Sequence, residues 1–178
     1  MLRTFVAVVT IMLSSAPPVR GQTPTDLDLS VAELRESIGV WDVRTEVIGP
    51  QGEIARVAQG TYDFSWVVPD RVVIGRSESP ELGQASGILF YIREAEGEIE
   101  MVSVGADGRL WVMTGTLGSD TRRTPEYATA DGGRGALRFT RFNVAPDSFE
   151  SRMEHTEDGG ETWLPGNHQV FTRRPPSG

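Results

Sequence analysis

Hydrophobic and polar residues alternate with a period of two along most of this chain, so successive side chains point to opposite faces, as half-buried strands require. Trp41, Val43, Thr45 and Val47 alternate with Asp42, Arg44 and Glu46. After the turn at Gly49-Pro50-Gln51-Gly52, Tyr62, Phe64 and Trp66 alternate with Thr61, Asp63 and Ser65. Further strands are predicted at 71–78, 87–93, 98–104, 109–117, 136–144, 148–157 and 167–173, separated by Gly-Glu, Asp-Gly, Pro-Asp and Asp-Gly-Gly turns. These connections are too short for parallel crossovers, so neighbouring strands must run antiparallel.

A helical pattern precedes the strands. Ser30-Val31-Ala32-Glu33 reads as a capping box, and Leu34 and Ile38 share one face of a helix of about two turns ending at Gly39. About nine strands in a meander must cover their edges or close on themselves. The expectation is all-β: a closed antiparallel up-and-down barrel with one short N-terminal helix, and a β-sandwich as the alternative. Only 118–134 is a long connection, read either as a lid at the barrel mouth or as a plain surface loop.

Composition adds compartment. Arg3, the apolar run from Phe5 to Leu13 and the small residue Gly21 form a secretory signal pattern, with cleavage expected before Gln22. The predicted organisation is a signal peptide over 1–21, a mobile spacer over 22–29, the barrel domain over 30–174 and a tail over 175–178. An exported protein, periplasmic or extracellular, is expected. No membrane anchor is expected after cleavage: the apolar run is too short to span a bilayer, and the chain has no cysteine to carry a lipid. The fold must therefore hold by its core without disulfides.

The net charge is −8. Removing the signal segment takes away two arginines and no acid, leaving −10, which argues against nucleic acid as a partner. All 17 basic residues are arginine.

Two segments carry a resemblance to known proteins. The helix running into Gly39-Val40-Trp41 resembles the Gly-x-Trp opening of the calycin barrels (lipocalins and fatty-acid-binding proteins), where the tryptophan plugs one end; Arg173 matches the arginine that lies across it. Thr156-Glu157-Asp158-Gly159-Gly160-Glu161-Thr162-Trp163 is similar to the Asp-box of sialidase propellers, in which the aspartate accepts amides of the turn and the tryptophan packs beneath it. One copy cannot make a propeller. Together with Tyr-Asp-Phe-Ser-Trp-Val at 62–67, these segments resemble a bacterial family of unknown function with a lipocalin-like barrel, over about residues 30–174. The resemblance implies a fold and no catalytic residues. It gives Trp41, Arg173, Asp158 and Trp163 structural roles.

Strand parity nominates the interior. Tyr62, Phe64, Trp66, Phe90 and Phe139 are candidate walls of a cavity for a small, partly apolar molecule, with Arg141, Asn143, His155 and His168 as polar candidates. If the last turn centres on Gly159 and Gly160, Ser151 opposes His168, and the two histidines lie about 13 Å apart on one face. A bulge at Pro165-Gly166 would instead put them on opposite faces. Neither arrangement lets them share a metal, so no metal site is predicted. No cofactor is expected either, the alternative being a haem held by His155 or His168. No Gly-x-Ser-x-Gly or His-Glu-x-x-His motif is present.

Three functions stay open. One is the ligand-binding barrel. A second is an enzyme using His155 or His168 as proton carrier in the cavity. The third is a structural or interaction protein with a filled barrel.

Overall fold

The computed structural model describes residues 23–175. Helix α1 (Asp26–Ser37) leads into β1 (Gly39–Ile48), β2 (Ile54–Val68), β3 (Val72–Ser79), β4 (Gln84–Arg93), β5 (Glu98–Gly105) and β6 (Leu110–Thr116). The chain continues through β7 (Thr121–Arg123), β8 (Tyr127–Ala128), β9 (Arg134–Ala145), β10 (Ser148–Thr156) and β11 (Leu164–Arg173). Ten of these strands close into an antiparallel barrel in the order β1-β2-β3-β4-β5-β6-β7-β9-β10-β11, and β11 pairs back onto β1. The short β8 pairs on the edge of β9. Closure excludes the sandwich and leaves the ring without an open edge.

The helix begins earlier than its sequence pattern suggested. Thr25, not Ser30, is the N-cap; its hydroxyl accepts from the Asp28 amide, and the Asp28 carboxylate accepts from the Thr25 amide. That box satisfies the free amides of Thr25 and Asp28 in the way the expected one would have served Ser30 and Glu33. Part of the stretch assigned to a spacer is therefore helical. Ser30 instead points inward and accepts a hydrogen bond from the Gly118 amide (2.9 Å), tying α1 to the turn before β7. The predicted signal peptide and its cleavage site lie outside the described residues.

The barrel has ten strands where about nine were expected, because 118–134 is not a plain loop. It supplies β7, one wall of the ring, and β8. Thr121-Arg122-Arg123 has no apolar alternation to announce a strand, and its partners Arg138, Phe139 and Thr140 lie far along the chain. On its other side β7 meets β6 at a single pair, Thr114 with Arg123. Gly115 permits that approach, since a Cβ there would stand 2.4 Å from the Thr121 carbonyl oxygen.

The alternation of β1 and β2 is realised. Trp41, Val43, Thr45 and Phe64 point into the barrel, where they join Leu34 of α1, Val73, Ile88, Ile99 and Phe171. Helix α1 covers one end. The Trp41 indole donates to the Ser37 carbonyl (2.8 Å), Arg35 pairs with Asp70 in the β2–β3 turn, Glu33 with Arg122 of β7, and Glu36 with Arg141 of β9. Turns, including 105–109 and 157–163, ring the opposite end.

Candidate functional site

Phe64, Phe90, Phe139, Phe149 and Phe171 project inward from five strands. Phe149 and Phe171 stack at 4.2 Å, and Phe64 meets Phe90 edge-on at 5.8 Å. Rigid rings on a closed wall pack against neighbours but leave the axis unfilled where small side chains face them. Here Ser77, Ser86 and Ser103 supply the small positions. The result is an interior cavity of about 170 Å³, whose wall also includes Tyr62, Met101, Met153 and Gln169. Glu33, Leu34 and Ser37 bound it at the helix end, with Arg141 nearby.

The cavity is mainly apolar, with polar groups of different kinds at its two ends. Towards the turns, the Gln169 amide donates to the hydroxyls of Thr45 (3.0 Å) and Tyr62 (3.3 Å), a neutral network. Beneath α1 the groups are charged. Arg141, only 8% exposed, donates to Glu36 (2.6 Å) and lies 5.2 Å from the Phe149 ring. Arg122, fully buried, donates through Nη2 to Glu33 (2.6 Å) and stands 5.7 Å from the Phe90 ring and 5.9 Å from that of Phe139.

Of the residues nominated from sequence, Tyr62, Phe64, Phe90, Phe139 and Arg141 come together around the cavity. Trp66 packs against the core without lining the cavity. Asn143 lies outside. Its φ of 50° marks a break in β9, where the pairing with β10 shifts, and its side chain donates to Glu150 on the outer surface. A bulge advances the chain by one residue, so the parity that carried Arg141 inward no longer applies two positions later.

The histidines are separated by the other bulge. His155 opposes Leu164, and the bulge at Pro165-Gly166 is the arrangement realised: Gly166 is passed over, so His168 opposes Arg152 rather than Ser151. The two rings therefore occupy opposite faces. His155 lines an open cleft at the turn end of the barrel beside Trp111 and Tyr127. His168 lies on the outer surface, its Nδ1 3.0 Å from Glu46 and its Nε2 2.7 Å from Glu150, stacked on Phe142. Burial pulls the His168 pKa down, but the two carboxylates outweigh it and leave the imidazole above its ordinary value. An acid–base histidine at the base of the cavity would need both placements in one residue. Among the described residues, no group of three or more His, Asp or Glu side chains is placed to hold a metal ion, and no helix is long and apolar enough to cross a membrane.

The Arg173 guanidinium lies over the Trp41 ring at the helix end. In the last turn, Asp158 accepts from the Thr156 hydroxyl (2.6 Å), the Thr162 amide (3.0 Å) and the Thr162 hydroxyl, while Gly159 and Gly160 take positive φ. Trp163 lies on the outside of the barrel between Arg138 (4.2 Å) and Arg123 (5.3 Å).

Sequence reading missed Arg122, Glu33 and Gln169. Gln169 follows His168, so the same bulge that turned the histidine outward turned the glutamine in. Phe149 and Met153 were legible as one face of β10. Arg122 carried no signal, because a three-residue strand is too short to show a period.

No family model matches this chain, and no curated protein does. Among solved structures, an S-type phycobiliprotein lyase from Guillardia theta is similar at 13% identity with a TM-score of 0.48, over 85% of this chain and 97% of the lyase. A protein of unknown function from the DUF3598 family of Nostoc punctiforme is similar at 12% identity and a TM-score of 0.46, over 79% of this chain and 49% of its own. A protein designated EF1p2_mFAP2b, solved bound to DFHBI, is similar at 16% identity and a TM-score of 0.32, over 82% of this chain and 98% of its own.

Proposed function

We propose that this protein is an exported barrel that binds a small, partly apolar molecule in its interior. The observation that carries the reading is the cavity of about 170 Å³ walled by Phe64, Phe90, Phe139, Phe149 and Met101. A barrel serving only as a scaffold gains stability from filling such a space, since each void forfeits contacts along its lining. A ligand restores those contacts. Export rests on the signal pattern of Arg3, Phe5 to Leu13 and Gly21.

Size limits the ligand. An engineered apolar cavity of about 150 Å³ accepts benzene, whereas pockets for drug-sized ligands start at about 300 Å³. A single ring or a short branched chain fits. The apolar body belongs among the phenylalanines, and the Tyr62, Gln169 and serine groups can orient a polar substituent.

Two measurements test this. Protein purified from its native compartment and denatured should release a small molecule identifiable by mass spectrometry. Protein stripped in this way and refolded should bind toluene or benzyl alcohol, seen as shifts of the Met101 and Met153 methyl resonances, while the methyl of Met113, buried away from the cavity, moves less. An empty extract together with unmoved methyl signals would overturn the reading.

A further inference from the structure

Every strand of the ring has a neighbour on each side, but the seam between β6 and β7 is closed over only part of its length. It holds at Thr114 and Arg123. Two residues further towards the turn end, the same register would set Val112 against Pro125, which has no N–H to give. From there the two sides part around the open cleft beside His155. That cleft has a volume of about 680 Å³, against 170 Å³ inside the barrel, and runs between 109–112 on one bank and 124–130 on the other.

The backbone of β6 is unpaired along this bank. The Arg109 carbonyl accepts from the Gly105 amide, and the Leu117 amide donates to the Gly97 carbonyl, so odd-numbered residues of β6 carry the bonds to β5 and even-numbered ones turn their backbone groups the other way. The N–H and C=O of Leu110 and Val112 therefore face the cleft, with no partner among the described residues. On the far bank, the bond from the Thr129 amide to the Gly133 carbonyl sets the same alternation in β8, and Ala128 turns its own pair towards the cleft.

The side chains beside this edge are apolar on both faces. Trp111 and Tyr127 meet edge-on at 5.8 Å within the cleft, and Tyr127 is 38% exposed. On the outer face Leu110 is 59% exposed, and Val112 begins a cross-strand row through Val102 and Leu89 to Ile74. Charge selects little: Arg109 is offset by Glu157, and Glu126 is paired with Arg134.

We propose that the split seam is a docking site for an extended peptide segment of a partner protein, added as an antiparallel strand on β6. Its backbone pairs with Leu110 and Val112, whose open groups repeat about every 7 Å, the spacing that another strand presents. A central aromatic or large aliphatic side chain enters beside Trp111, Tyr127 and His155, and the β-branched residues on either side of it lie along Leu110 and Val112.

The probe is acetyl-Thr-Val-Phe-Val-Thr-amide, with a second version N-methylated on both valines, the residues that would pair with β6. The first should slow hydrogen exchange of the Leu110 and Val112 amides at least about fivefold, read by NMR. The methylated version keeps the side chains and loses the paired donors, so it should bind at least about fivefold more weakly. Leu110→Pro removes one open donor at the first position of β6 and no bond to β5, so it should weaken the unmethylated peptide by about fivefold while leaving amide exchange in β3 and β4 unchanged. Equal binding of the two peptides overturns strand addition. Protection of the same amides that rises with protein concentration in the absence of peptide places a second copy in the seam and overturns it as well. So does the absence of protection at millimolar peptide.

Discussion

The Arg173 guanidinium carbon stands 4.2 Å from the centre of the Trp41 ring, on the residue that pairs with Trp41 across β1 and β11. The same guanidinium donates to the carbonyls of Ile38 (2.6 Å) and Glu36 (2.7 Å), two acceptors left over at the end of α1. One side chain thus covers the indole, caps the helix and joins the last strand to the first. Arg173→Leu should lower stability by about 1–2 kcal/mol, measured by urea denaturation. The loss should be smaller in a Trp41→Phe background, because the cation then faces a weaker ring.

His168 makes the outer seam of β1, β11 and β10 depend on pH. Its pKa is raised in the folded protein, so its contribution is fully present below the ordinary histidine value and fades as pH rises through the raised one. The partner carboxylates run the other way. Glu46 is held below its ordinary value by hydrogen bonds from His168 and Arg44, and Glu150 by Asn143 and His168, so their contribution is present above the ordinary carboxylate range and fades in acid. The denaturation midpoint should peak between those limits, from about pH 5 to about pH 6.5. His168→Gln should flatten the alkaline side of that profile; an unchanged slope would mean that the clasp contributes nothing.

Asp158 holds the β10–β11 turn through Thr156 and Thr162. Hydrogen bonds from the two hydroxyls and the Thr162 amide keep its carboxyl far below the usual carboxylate range. The clasp should therefore persist through mild acid and be lost only in strong acid, when Asp158 is protonated. Asp158→Ala should speed hydrogen exchange of the Thr162 amide while leaving amides of β3 and β4 unchanged.

Phe139 lines the cavity, and its ring stands 5.9 Å from the Arg122 guanidinium. Phe139→Ala should cost about 3 kcal/mol by denaturation, the usual penalty for opening space in a core. The enlarged cavity should then favour naphthalene over toluene, the reverse of wild type, in the same methyl-resonance titration.

Much of the fold was legible because its signals are local. Trp41, Val43 and Thr45 alternate with charged neighbours over a few residues, and the Gly-rich turns between such runs leave antiparallel pairing as the short-range solution. Five of the nine nominated site residues line the cavity for the same reason. Asn143 and His168 went astray because parity holds only until a bulge; Pro165-Gly166 marked the second bulge as an alternative in the sequence, whereas nothing there marked the one at Asn143, and the pairing of β9, β10 and β11 decided both.

By itself the sequence determined a cysteine-free chain of hairpins with one capped helix in front, since period, turn chemistry and capping are properties of neighbouring residues. Only the tertiary structure decided that 118–134 closes the ring, that α1 covers one end, and that Arg122 is buried against Glu33, 89 positions away in the chain. Arginine is polar wherever it is written. Whether its donors meet water or an enclosed wall depends on what the rest of the chain brings to it, and here that is a helix above, a glycine beside β7 and two phenylalanine rings.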